Sequence, residues 1–279
     1  MNRGQDSTLQ FCAKSFSRLA FLLILALAVA GPVFAQTLPV GPFGFVVNAT
    51  YNDPSAYGGG AMLGLANFDG AGNVSGPYTL ELGSGGGSAQ QDISGTFNGT
   101  YSSNPDGTGT MSIALDIGVN LTLAMVIDNR GHGLELALTS CSGFICNFTG
   151  VASGVGAAEF NSHPHPVNTQ FLVGSYGIQF TKSAPTVFTE LAVWTFDGAG
   201  NVSLAGTFVS PGPTVGSGTL TGTYTVNPNG TGTITVPPQS GSLFGQTYVF
   251  AIANGHSGLL VLQTNRAGDG VLYGVGQLE

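Results

Sequence analysis

Four histidines, two late cysteines and a thin scatter of carboxylates are the residues of this chain that could do chemistry, and their spacing decides how far each goes. His132 in Asn129-Arg-Gly-His-Gly133 and His256 in Asn254-Gly-His-Ser-Gly258 sit in matching turns. Neither has a Ser or Cys nucleophile in a recognised setting such as Gly-x-Ser-x-Gly, so hydrolase chemistry finds no support. His163-Pro-His165-Pro has the makings of half a metal site, but two histidines in a proline-rich stretch fit a solvated spacer better. Asp92, Asp116, Glu135 and Glu190 fall within or at the ends of alternating segments, where the simplest role is an outward solubilising one. Glu190 shares parity with Phe188, Trp194 and Phe196, which would turn it inward as a polar anchor in an apolar interior. No catalytic residue, cofactor or metal is therefore expected, and the expectation is a protein that is not an enzyme.

The segment Phe68-Asp-Gly-Ala-Gly-Asn73, followed by Val74-Ser75, returns unchanged as Phe196-Asp-Gly-Ala-Gly-Asn201 and Val202-Ser203. Asp69 with Asn73, and Asp197 with Asn201, would suit either a calcium loop or a tight turn. Calcium needs more oxygens than two per loop, whereas a turn needs only glycines at positive φ and Asx side chains bonding nearby amides. Other echoes keep the same order, including Gly99-Thr-Tyr101 with Gly222-Thr-Tyr224 and Pro105-Asp-Gly-Thr-Gly-Thr110 with Pro228-Asn-Gly-Thr-Gly-Thr233. The offset between copies falls from 133 at Gly41 and Gly174, through 128 at Phe68 and Phe196, to 123 at Gly99 and Gly222. The chain is a duplicated unit with its insertions confined to loops.

What must position these residues follows from composition and period. Arg3, Lys14 and Arg18 precede the apolar run Leu19 to Ala30, and Val33-Phe-Ala35 offers a cleavage site, so residues 1–35 are expected to be a signal peptide. The mature protein is expected in the periplasm, the cell envelope or the medium. Losing that segment takes the formal charge from −8 to −10 and leaves Arg130, Lys182 and Arg266 as the fixed cations. Such a surface repels phosphate backbones and offers no polybasic patch, so neither nucleic acid nor membrane is an expected partner. Export also places Cys141 and Cys146 where a disulfide persists, and no further Cys or His is spaced to make them a zinc site.

Apolar residues recur at period two. Ile93, Gly95, Phe97, Gly99 and Tyr101 share one face and Ser94, Thr96, Asn98 and Thr100 the other; Leu220, Gly222, Tyr224 and Val226 repeat the arrangement. With 45 glycines and 14 prolines against long helices, the fold class is all-β. Runs bounded by Gly, Asn, Asp or Pro give about eight short antiparallel strands per half. The spacing predicts two tandem up-and-down β-barrels, residues 36–159 and 172–279, joined by a linker at 160–171. Two β-sandwiches are the alternative, because strand counting does not reveal closure.

The motifs FDGAGNVS and GTYTVNPNGTGT resemble the repeats of uncharacterised secreted bacterial β-proteins, over nearly all of residues 41–279. That resemblance brings no activity with it. In architecture the short strands and the Gly-Thr-Tyr segment are similar to avidin-like and lipocalin-like barrels, which implies an interior able to hold one small apolar or amphipathic ligand. The lining residues would be Trp194, Phe196, Tyr224, Tyr248 and Phe250, with Phe68, Phe97 and Tyr101 in the first half. A structural or adhesive envelope module and an outer-membrane barrel of sixteen strands are the other two expectations.

Overall fold

A computed structural model of the chain describes residues 39–49, 59–83, 90–127, 133–146, 152–158, 167–182, 188–209, 215–238, 246–253, 257–264 and 271–278. The expected signal peptide, His132, His256 and the His163/His165 pair lie outside them. The first eight strands are β1 (Val40–Ala49), β2 (Gly60–Asp69), β3 (Asn73–Leu82), β4 (Gln91–Ser103), β5 (Thr108–Leu115), β6 (Val119–Ile127), β7 (Gly133–Ser142) and β8 (Ala152–Ala158). The second eight are β9 (Val173–Lys182), β10 (Phe188–Asp197), β11 (Asn201–Val209), β12 (Val215–Val226), β13 (Thr231–Val236), β14 (Gln246–Ala253), β15 (Gly258–Thr264) and β16 (Leu272–Leu278).

Each set is an antiparallel meander that closes on itself, β1 pairing with β8 and β9 with β16. Closure answers the open choice between barrel and sandwich: both halves are barrels, and neither leaves an exposed sheet edge. The period-two pattern becomes inside and outside. On β6, Val119, Leu121, Leu123, Met125 and Ile127 are buried, while on β4 Thr96, Asn98 and Thr100 face water. Interior glycines make room for rings: a Cβ on Gly64 would overlap the Phe45 ring, and one on Gly232 the Phe250 ring.

The two ends of each barrel differ. At one end sit the tight turns, with Gly70, Gly72, Gly198 and Gly200 all at positive φ. Tyr101 and Tyr224 plug that end. The Tyr101 hydroxyl donates to the Pro39 carbonyl at 2.9 Å, and the Tyr224 hydroxyl is shared between the carbonyls of Leu172 at 2.9 Å and Thr169 at 3.0 Å. Thr169–Phe171, within the segment expected as a linker, forms a 3-10 turn capped by the Asn168 side chain, and Leu172 is buried in the second core. At the opposite end the second barrel's connections are residues 183–187, 210–214, 239–245 and 265–270, outside the described set.

The barrels also pack on each other, and residues from Thr37 onward form one compact unit. Outward residues of β1 and β2, Val46, Ala61 and Leu63, join Ala251, Leu260, Leu262 and Val271 of the second barrel in a third apolar core. Gly44 permits the approach, since a Cβ there would stand 3.2 Å from the Ala251 Cβ and 3.4 Å from the Leu260 Cδ1. The Tyr273 hydroxyl bonds the side chains of Asn48 and Thr181 across this seam, and burial raises its pKa.

Candidate functional site

The duplication supplies its own control: each inward position of the second barrel has a counterpart in the first. At the turn end the two interiors agree. Phe68 stands edge-on to Phe43 and Tyr101 at ring separations of 5.3 and 4.8 Å, and Phe196 repeats this against Tyr176 and Tyr224 at 5.6 and 5.0 Å. Burial pushes the Tyr176 hydroxyl up to about 12, with the neighbouring Tyr224 adding to the effect. Four of the expected ligand-lining residues, Phe68, Tyr101, Phe196 and Tyr224, are thus placed in matched aromatic plugs. Phe97, packed edge-on against Phe45 at 5.9 Å, and Phe250, against Gly232, are likewise buried core.

At the other end the two interiors diverge. Halfway along the second barrel, Trp194 lies 5.2 Å from Phe180 and 5.0 Å from Tyr248, an aromatic trio whose counterparts are Ala66, Val47 and Leu123. Sequence reasoning named Trp194 and Tyr248 but missed Phe180. Above the trio the inner face carries Lys182, Glu190, Gln246 and Gln263. Register fixes their direction: Glu190 is opposite the buried Phe180, Lys182 opposite the buried Leu272, and Gln263 opposite Tyr248. Lys182 and Glu190 are diagonal neighbours across β9 and β10, within reach of long side chains. The inward orientation expected for Glu190 is the one its register gives.

In the first barrel these four positions are apolar. The offsets place Ala49 at Lys182 and Met62 at Glu190. The Ile127 amide bonds Gly107 O as the Ile252 amide bonds Gly230 O, which places Leu121 at Gln246 and, through register, Leu138 at Gln263. Ala49, Met62, Leu121 and Leu138, with Ile145 folded over them, leave a residual cavity of about 40 Å³. That is room for a water molecule or so. Cys141 and Cys146 hold this cover in place through a disulfide with Cα atoms 5.4 Å apart.

One further substitution changes what stands beside the polar group. Tyr78 fills the first barrel's interior and donates its hydroxyl to Asp116 at 2.9 Å; its counterpart in the second is Gly206. The Glu190 carboxylate lies over that glycine, 2.7 Å from where a Cβ would be, and a Cβ on the adjoining Gly218 would meet nothing within 4 Å among the described residues. Gln246 accepts from the Tyr248 hydroxyl at 2.7 Å. Gln263 is only 4% exposed.

The duplicated turns are satisfied from within. Asp69 Oδ1 accepts from the amides of Ala71 at 2.7 Å and Asn73 at 2.8 Å, and Oδ2 accepts from the Asn73 side chain at 2.5 Å. Asp197 repeats these bonds at 2.7, 2.9 and 2.6 Å. Both carboxyls are held below the usual range, first by the Asn side-chain bond and then by the amides. Among the described residues no three His, Cys, Asp or Glu side chains come together as metal ligands. Asp116 is more than a solubilising group, since it binds the Thr96 amide at 2.9 Å as well as Tyr78. No protein-family model matches the chain, and no curated protein is similar to it at a significant level.

Proposed function

We propose that this is a secreted, non-enzymatic binding protein in which the second barrel takes up one small amphipathic molecule and the first is its filled structural partner. The observation that carries this is the contrast at matched positions. Ala49, Met62, Leu121, Leu138 and Tyr78 close the first interior, and Lys182, Glu190, Gln246, Gln263 and Gly206 stand in their places in the second. Exchanging a well-packed apolar end for a charged and amide-lined one sacrifices stability, and proteins keep such features where they bind something. The aromatic trio would take the ligand's apolar or planar body, and the polar group above it a head carrying both donors and acceptors. Secretion rests on the charged, apolar and small-residue order of residues 1–35.

The outer-membrane alternative draws little support, because the sixteen strands close as two barrels of eight and outward rows such as Thr96, Asn98 and Thr100 are polar. Trp194 reports on the site directly. Trp194 is buried, so its shielding from aqueous quenchers is already present, and titration with fatty acids, retinoid-like and biotin-like compounds should instead give a saturable change in its emission for at least one class. A Trp194 signal unchanged by every class would leave the structural or adhesive module as the better description.

A further inference from the structure

The seam between the barrels is built from one face of the repeat, and the second barrel exposes its own copy of that face. Leu63 and Leu65 on β2 are 4% and 2% exposed, with Leu63 in the inter-barrel core; their counterparts on β10, Leu191 and Val193, are 62% and 37% exposed. Register extends these two residues into adjacent rows across the sheet. One row runs from Val275 through Gln179 to Leu191, and the other from Gln277 through Gly177, Val193 and Ala205 to Thr219. Together they line an open trough of about 840 Å³ without a charged side chain. The first row is continuous with the existing seam, because Val275 is the direct strand neighbour of Leu260.

We propose that this β9–β10 face docks a second copy of the chain, face to face across a twofold axis. An uncharged apolar face is unusual on a protein of formal charge −8, and it is the one kind of surface on which two such chains approach without repulsion. A head-to-tail arrangement would reuse the internal docking mode, with β6 and β7 of the next copy in place of β14 and β15. That face is unsuited to it: Glu135 stands where the seam has Leu260 and is exposed, so docking would bury a carboxylate opposite Gly177 and Gln179, with no cation among the trough-lining residues. The self-complementary pairing closes at two copies and leaves no face for growth.

Sedimentation velocity on the full mature chain decides this, over concentrations from about 1 to 100 µM, the range in which a transient interface of this kind dissociates. The wild type should sediment as a dimer at the upper end. Leu191→Glu with Val193→Glu should be monomeric with an unchanged melting temperature, since both side chains already face water. Val126→Glu, on the exposed face of β6, should leave the dimer intact. A monomer throughout would overturn the proposal, as would a dimer that survives the Leu191 and Val193 changes. Growth beyond two copies that Val126→Glu abolishes would also overturn it, in favour of the head-to-tail arrangement.

Discussion

Tyr101 and Tyr224 hold the same position in the two barrels, and each donates its hydroxyl to the segment leading into its own barrel, Pro39 O at 2.9 Å and Leu172 O at 2.9 Å. The duplicated hexapeptide lies against the same rings, and the backbone amides of Tyr101 and Tyr224 bond Gly72 O and Gly200 O. The repeated Gly-Thr-Tyr and Asp-Gly-Ala-Gly-Asn motifs are therefore two halves of one structural device that ties entry segment, turn and core together. Tyr101→Phe should cost about 1 kcal/mol by urea unfolding, and Tyr224→Phe somewhat more, because it leaves two carbonyls short of a donor.

The same turns predict the acid limb of stability. Asp69, Asp106, Asp116 and Asp197 are all held below their usual range by hydrogen bonds made in the folded state. Their contribution is complete above the unfolded carboxyl value of about 4 and is lost as pH falls through the lower folded values. Melting temperature should therefore hold between pH 7 and 5 and drop below about 4, with a shallower drop in Asp69→Asn and Asp197→Asn. On the alkaline side the buried tyrosines act in the opposite sense: Tyr78, Tyr101, Tyr176, Tyr224 and Tyr273 ionise more readily when unfolded, so stability should fall above about pH 10.

Glycines on the inner face divide into two kinds that substitution should separate. A Cβ on Gly222 would sit 2.5 Å from the Thr235 carbonyl oxygen, and one on Gly218 would touch nothing among the described residues. Gly222→Ala should cost about 1 to 3 kcal/mol through a forced backbone shift, while Gly218→Ala should stay within about 0.5 kcal/mol. Equal effects in chemical denaturation would contradict the strand separation on which the barrel closure depends.

Cys141 and Cys146 close a loop of a few residues, for which chain entropy gives about 2 kcal/mol. Ile145 is buried between them at the end of the first barrel, so opening the bridge should loosen that cover as well. Cys141→Ser with Cys146→Ser should lower stability by about that amount and speed amide exchange in β7 before β4.

Strand positions were legible because their signal is local. The alternating run Ile93 to Tyr101 lies in β4, Gln91–Ser103, and Leu220 to Val226 lies in β12, Val215–Val226. Alternation of Gly and aromatics against Thr marks an inside and an outside without reference to anything distant. The seam was harder to foresee. Leu259, Leu260, Val261 and Leu262 form a continuous apolar run, as do Phe45, Val46 and Val47, and residues buried on both faces of a strand are the mark of a sheet covered on its outer side. The polar end of the second barrel was legible only at Glu190, whose parity with Trp194 was visible. Lys182, Gln246 and Gln263 lie on three different strands, and the exchange of Tyr78 for Gly206 means something only once register aligns the two copies.

That exchange is also the means of testing the site by reversal. Replacing Lys182 with Ala, Glu190 with Met, Gln263 with Leu and Gly206 with Tyr installs the residues the first barrel uses at the same positions. If the polar end of the second barrel is a binding site, the quadruple variant should abolish any saturable Trp194 response, because a phenol ring then stands at position 206 and the polar partners are gone. It should also be more stable than the wild type, by about 1 to 2 kcal/mol, since a buried ammonium, a half-buried carboxylate and a buried amide give way to apolar side chains. Gly206→Tyr alone separates filling from polarity: it should block binding while Lys182, Glu190 and Gln263 stay in place. A quadruple variant that binds as well as the wild type would place the ligand elsewhere, and one that binds nothing but is also less stable would mean that the polar group serves the fold.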